Sequence, residues 1–347
     1  MPPPVGGVAS IVQMLHANLN GRDDILFAAP LSKTGGGLAS SLRPLRNLFR
    51  IGRSALRIAR GGRVLMFSSA GFSFYEKLLW SACVLLLGRK PVLLMVDGNF
   101  PSFWRHQRPG LQSLVRRRMA HPAMRLGAQS RTWLEFYSGL FPDTESMIFA
   151  ATVAPGFWQP APPVPRDAMR VLYVGWMIPE KGIVDLLDAF AGVVTRMPEA
   201  RLRLIGPLFD QQAYWDRELT RRQLADQVEM VGPITDRNAL MHELRSTALF
   251  VLPSHAEGLP VALLEAMALG VPCIASDVGA VADVLDQGRA GSLVPVRSPD
   301  KLAAEIIRLL SDQPARDRLG AAALARASIH YSTEAFVASY LRMLDLS

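Results

Sequence analysis

Cysteine is scarce in this sequence. Two residues, Cys83 and Cys273, stand in apolar runs of a 347-residue chain. They make no CxxC pair and no disulfide framework, so two buried core thiols in a reducing compartment fit them best. The six histidines show no metal-ligand spacing with one another or with cysteine, which leaves no zinc signature. The dinucleotide and P-loop fingerprints GxGxxG and GxxxxGK(S/T) are missing, and so is a GxSxG nucleophile elbow. Long apolar runs are missing as well. The most apolar stretch, Leu78–Val96, is interrupted by Gly88-Arg89-Lys90-Pro91, and neither piece reaches the roughly 20 residues of a membrane helix. It reads as a buried helix, a turn and a buried strand. No charged start or apolar leader precedes Val5-Gly6-Gly7, so a cytoplasmic location is expected.

What is there describes an ordinary globular protein. Half the residues are apolar and a fifth are charged, and the length suits two domains, each with a sizeable core. The charge is divided unevenly. Residues 1–160 carry 19 Lys/Arg against 7 Asp/Glu, a net of +12, while the rest carries 19 against 23, a net of −4. Such asymmetry speaks of partners and not of fold, and it points the first half at an anionic surface or substrate. Arg43, Arg46, Arg50, Arg53, Arg57 and Arg60 recur at helical spacing among Leu45, Leu48, Phe49, Leu56 and Ile58. A helix of that kind suits phospholipid headgroups. A merely solvated basic face fits equally well, and nucleic acid fits less, because no recognition motif accompanies the charge.

Pro155–Pro165 holds five prolines in eleven residues, which argues against helix and central strand and marks a linker. Beyond it strands alternate with helices. Short apolar runs at Arg170–Gly175, Ala200–Gly206, Val228–Gly232, Ala248–Pro253, Val271–Ser276 and Gly291–Val296 predict strands. Amphipathic stretches such as Gly182–Met197, Gln211–Asp226 and Asp236–Ser246 predict the helices between them. The pattern is that of a parallel sheet covered on both faces, whose ligands gather at the carboxyl ends of the strands. The first half alternates less cleanly, with strands expected at Val64–Ser68, Val92–Val96 and Ala123–Gln129. Pro2–Ala9 looks like the loop after a first strand that is itself missing.

Three segments carry chemistry. The first runs from Ser254 to Gly270 between two apolar strands and places Glu257 and Glu265 eight positions apart. Glu265 is the only charge in a helix apolar all round, and a buried carboxylate is costly unless hydrogen-bonded. Ribose hydroxyls could satisfy it, and so could a neighbouring loop. Glu257 lies by the helix start, where free backbone N–H groups and the helix dipole suit a phosphate. The second is Val174-Gly175-Trp176-Met177-Ile178-Pro179-Glu180-Lys181-Gly182, a strand end, a turn and a helix start. Lys181 could reach a diphosphate there and stabilise a departing nucleotide, or simply stand in solvent. The third, Gly6-Gly7, would let backbone approach a ligand closely. Gly35-Gly36-Gly37 reads as a flexible loop.

Together these segments resemble family 4 of the glycosyltransferases, retaining enzymes of the GT-B kind. Glu257 through Glu265 resembles that family's E-x7-E signature, VGWMIPEKG its VGR-x4-KG segment, PPPVGGVAS its glycine loop, and Arg125–Ser130 a strand ending near the acceptor cleft. The resemblance implies an α/β fold of two Rossmann-like domains with a deep interdomain cleft. Residues 1–160 would form the acceptor domain, 161–329 the donor domain, and 330–347 a helix, with Tyr340, that crosses back. It implies transfer of a sugar from a UDP- or GDP-sugar with retention. Glu257, Lys181 and Asp97 would be catalytic. Gly6, Gly7, Gly175, Trp176, Lys181, Pro233, Ile234, Ser254, Gly258, Leu259, Pro260, Val261 and Glu265 would bind the donor. No cofactor or metal is implied, because basic side chains and helix N-termini carry the leaving diphosphate. The basic first half implies an anionic or lipid-linked acceptor in cell-surface polysaccharide or glycolipid synthesis, with peripheral contact at the inner membrane face and no nucleic acid. Two positions depart from the family: Trp176 stands where its arginine is usual, and Asp97 where a histidine often is. A sugar phosphorylase, or a binding protein that keeps the fold without catalysis, are the alternatives.

Overall fold

The computed structural model describes residues 7–19, 49 and 52–346, apart from 160, 161, 163 and 210. Gly6, Gly35–Gly37, Arg43, Arg46 and Arg50 therefore lie outside the described residues. The chain divides into two compact units. Among the described residues, one holds 152–333, and the other holds 7–151 together with 334–346.

The second of these opens with helix α1 (Gly7–Leu19) and a helical segment α2 (residues 52–57). Strand β1 (Arg63–Ser68), helix α3 (Phe72–Leu86) and strand β2 (Lys90–Met95) follow. Then come α4 (Phe100–Arg105), α5 (Pro109–Met119), β3 (Arg125–Ala128), α6 (Arg131–Leu140) and β4 (Glu145–Ile148). The four strands pair in parallel in the order β1-β2-β3-β4. Val92, Leu93, Leu94 and Met95 are all buried, as expected of a parallel strand covered on both faces. The Leu78–Val96 stretch is the helix, turn and strand its sequence suggests. Strand β4 has no counterpart among the expectations: its Glu145-Ser146-Met147-Ile148 lies half in solvent and carries no apolar run.

The last helix of the chain, α14 (Thr333–Met343), packs into this unit and not into the one that precedes it in sequence. Tyr340 meets Phe149 edge-on at 5.7 Å, and the Ala150 N–H donates to Ser339 Oγ at 3.0 Å. Beyond the helix Asp345 accepts from Arg63 at 2.6 Å and from Arg125.

The other unit contains β5 (Asp167–Val174), α7 (Ile183–Arg196), β6 (Arg201–Ile205), α8 (Gln212–Arg221), β7 (Val228–Gly232), α9 (Arg237–Arg245) and β8 (Thr247–Leu252). It continues through α10 (Val261–Ala268), β9 (Cys273–Ser276), α11 (Val281–Val284), β10 (Ser292–Val294), α12 (Pro299–Ser311) and α13 (Gln313–His330). Its six strands are parallel, in the order β10-β9-β8-β5-β6-β7. The chain winds outward from β5 to β7, returns to β8 on the other flank of β5, and winds outward again. The reversal falls between β5 and β8, the switch point at which open sheets of this kind place their ligand crevice. Helix α8 ends earlier than its pattern predicts, because Gln223 adopts a left-handed φ of 57° that no α-helix continues through. The proline-rich stretch is also not wholly irregular: Pro155–Trp158 forms a 3-10 turn that buries Phe157.

Candidate active site

Two of the three segments that the sequence singles out meet at the reversal. Strand β5 ends at Val174, and Gly175 follows against Gly206, the residue after β6. A Cβ on Gly206 would stand 1.8 Å from the Gly175 carbonyl oxygen, so these strand ends approach more closely than any side chain allows. The Trp176 carbonyl accepts from the buried Tyr173 hydroxyl at 2.9 Å, which fixes the turn. Burial first, and then the nearby Glu257 charge, push the Tyr173 hydroxyl well above its ordinary pKa, so it acts as a neutral donor. Pro179–Lys181 forms a 3-10 turn, and Gly182 restarts the chain as α7 with φ 66°.

Gly182 is where the β5 and β8 loops touch. A Cβ there would lie 2.0 Å from the carbonyl oxygen of Pro253, the residue after β8. The His255 N–H donates to the Glu180 carbonyl at 2.8 Å, and His255 Nε2 meets Asp185 Oδ2 at 2.7 Å. These contacts carry Lys181 to the β8 loop, where its Nζ donates to Glu257 Oε1 at 2.6 Å. The Ser254 hydroxyl donates to the same oxygen at 2.7 Å. Glu257 is 7% exposed. A carboxylate so enclosed is tolerable because a cation and a hydroxyl both meet it.

Helix α10 begins directly beyond. Pro260 is its N-cap residue and has no N–H, so the backbone donors at this helix start come from the residues around Pro260 and not from Pro260 itself. Leu263, Leu264, Ala266, Met267 and Ala268 bury the helix on nearly every side. Glu265 lies one turn in, about 6 Å along the axis from Val261. Desolvation raises its carboxyl from the ordinary 4.5 to about 7, against the pull of Arg237. Arg237 is the first residue of α9 and follows the β7 loop that holds Pro233 and Ile234. The charge of Arg237 felt by Glu265 is a link that spacing alone does not reveal.

The remaining expected residues are placed as follows. Trp176 is 40% exposed at the carboxyl end of β5 and meets the exposed Phe209 edge-on at 5.6 Å. Val261 starts α10, and Leu259 is buried beside it. Gly7 begins α1 in the other unit. Asp97, also in that unit, follows β2, and its two carboxylate oxygens accept the Ala70 N–H at 2.8 Å and the Asn99 N–H at 2.7 Å. Sequence reasoning gives no role to four residues that meet the site: Arg237, Asp185 and Tyr173 lie outside the segments it singles out, and His255 lies within one.

Residues 157–326, which contain the whole crevice, match the family model described as glycosyl transferases group 1. Over 169 residues the chain is 34% identical to phosphatidyl-myo-inositol mannosyltransferase of Mycolicibacterium smegmatis, covering 47% of this chain and 41% of that protein. Over 161 residues it is 33% identical to D-inositol 3-phosphate glycosyltransferase 2 of Catenulispora acidiphila, covering 44% and 37%. The match thus spans about two fifths of the length of these curated relatives. Among solved structures, sucrose-phosphate synthase from Thermosynechococcus elongatus superposes with TM-score 0.74 at 18% identity, over 98% of this chain and 93% of that one. Anabaena Alr3699/HepE in complex with UDP-glucose superposes with TM-score 0.69 at 18% identity, over 89% and 84%. The fold is therefore that of the GT-B glycosyltransferases, and residues 157–326 resemble the glycosyl transferases group 1 family.

Proposed function

We propose that this protein transfers a sugar from a nucleotide diphosphate sugar to an acceptor hydroxyl, with retention at the anomeric carbon, and that the donor occupies the β5/β8 crevice. The observation that carries the reading is the convergence of Lys181, Ser254 and Glu257 on one oxygen at a strand reversal. Beside them is a helix start, and one turn further on is a carboxyl poised near neutrality. Lys181 and the α10 N-terminus supply positive potential for a diphosphate, with no metal in the scheme. Glu265 offers a carboxylate to the ribose hydroxyls. Glu257, already oriented by two donors, would lie against the transferring sugar. The acceptor hydroxyl would attack from the face the nucleotide leaves, and its proton would pass to a donor phosphate oxygen. UDP-glucose in the solved structure of HepE supports a nucleotide-sugar as the ligand class.

The acceptor side of the proposal is a phosphorylated or lipid-linked molecule, bound through the basic first half of the chain. The names of the phosphatidyl-myo-inositol mannosyltransferase and inositol 3-phosphate glycosyltransferase relatives support that chemical class. A panel of UDP-, GDP- and ADP-sugars, assayed for transfer and for slow donor hydrolysis, tests the reading. Lys181→Ala and Glu257→Ala should each lose about 10²–10³ in kcat, the scale of a removed oxyanion contact. Turnover should survive EDTA. Wild-type-like turnover in both variants would end the proposal.

A further inference from the structure

Helix α3 carries an apolar ridge that stands exposed among the described residues. Phe72, Leu79 and Leu86 are 65%, 55% and 89% exposed, while Phe74, Leu78, Trp80 and Val84 of the same helix are buried. The three are spaced by seven, so successive members drift by only about 20° and share one face over about 21 Å. A solvent face normally carries polar residues at these positions; here Glu76 alone interrupts three large apolar side chains, and exposed apolar groups recurring along one face mark an interaction site.

The ridge is flanked by positive charge. Segment α2 lies against it: a Cβ on Gly52 would be 3.7 Å from Cys83 Sγ, and Cys83 falls between Leu79 and Leu86 on the helix. Arg89, buried, fastens the end of that segment. Its guanidinium donates to the carbonyls of Ile58 at 2.7 Å and Leu56 at 3.3 Å, and to that of Leu87. Arg53, Leu56, Arg57 and Arg60 are all exposed on α2 and the turn after it. From residue 25 to residue 96 the sequence holds eleven Lys/Arg and a single acidic residue, Glu76, which is bonded to Lys77 at 2.6 Å.

We infer that the α3 ridge, with Arg53, Arg57 and Arg60 beside it, docks this unit on an anionic lipid bilayer. A single convex helix with large apolar side chains along its crest and arginines at its flank matches the headgroup boundary, where apolar groups sink below the phosphates and cations meet them. The inference gives a location to the lipid-linked acceptor of the reading above and rests on that reading for its purpose. Its surface, however, lies in the unit that does not hold Lys181 and Glu257.

The test is co-sedimentation of the full chain with vesicles of phosphatidylcholine alone and of phosphatidylcholine with phosphatidylglycerol, at low and high salt, with donor hydrolysis measured in parallel. The wild type should pellet with anionic vesicles at least about tenfold better than with neutral ones, and high salt should weaken this. Leu79→Glu/Leu86→Glu should abolish pelleting while leaving hydrolysis and the melting temperature unchanged, since both side chains already stand in solvent. Arg53→Gln/Arg57→Gln should lower affinity by about fivefold per arginine and flatten the salt dependence. Failure of the wild type to bind anionic vesicles overturns the inference. So does undiminished binding by Leu79→Glu/Leu86→Glu, and so does concentration-dependent self-association that this double variant removes without any vesicle binding. In each case intact donor hydrolysis leaves the transfer reading standing.

Discussion

At the scale of single residues, Lys181, Glu257 and Glu265 divide the work by environment. Lys181 and Glu257 hold each other, so removing the lysine strands a carboxylate that is almost wholly enclosed. Lys181→Ala should therefore cost about 1–3 kcal/mol of stability in addition to activity, read as a lower denaturation midpoint. Lys181→Ala/Glu257→Gln should recover part of it. Glu265 behaves differently. Its carboxyl is raised from 4.5 to about 7, so the folded chain holds the proton more tightly than the unfolded chain does. The stabilisation is then full below about pH 4.5 and is lost as pH rises through about 7, by at most about 3 kcal/mol. Glu265→Gln should remove that part of the pH dependence of melting. Ribose hydroxyls donating to the carboxylate would favour its ionised form, so nucleotide-sugar affinity should rise about fivefold from pH 6 to pH 7 and release a proton. Titration calorimetry in buffers of different ionisation enthalpy measures that release, and in Glu265→Gln it should vanish. These residues were visible in the sequence because carboxylates and a lysine are rare in apolar or glycine-bounded surroundings. Arg237 was not visible, because its charge acts on Glu265 only through the fold, across 28 residues of sequence.

At the scale of elements, the site depends on how closely two loops approach. Gly182 sits at φ 66° with the Pro253 carbonyl in the space a methyl would need. Gly182→Ala should cost about 2–4 kcal/mol through strain and displacement of the β8 loop. It should also lower kcat without removing a single charged group, and a denaturation curve alongside a rate assay checks both. The glycine beside Lys181 thus has a packing reason that spacing cannot display. The strands of the second sheet were legible because apolar runs of four to eight residues between glycines and prolines admit little else. Strand β4 was not, since a half-solvated edge strand needs no apolar run. The early end of α8 was hidden too, because a left-handed Gln223 has no glycine to announce it. Asp97 is instructive in another way. The sequence offers it as a catalytic group, and the fold holds its oxygens with two backbone amides beside β1 and β2.

At the scale of the whole molecule, the two units carry separate chemistry. Residues 152–333 hold the crevice in a chain segment of net negative charge, and the basic residues collect in the other unit with the α3 ridge. The charge asymmetry was plain in the sequence, but the ridge was not, because Phe72, Leu79 and Leu86 read as core until the helix shows which face it buries. A nucleotide-sugar that binds the crevice should raise the melting temperature in step with the logarithm of its excess over Kd, and phosphatidylglycerol vesicles should not alter that dependence. The central claim, that the β5/β8 crevice receives a nucleotide diphosphate, is tested most directly by a crystal structure of the chain with UDP or GDP. The account predicts Lys181 Nζ within hydrogen-bonding distance of a phosphate oxygen and Glu265 at the ribose hydroxyls. A nucleotide bound elsewhere, with the Lys181–Glu257 pair undisturbed, would contradict it.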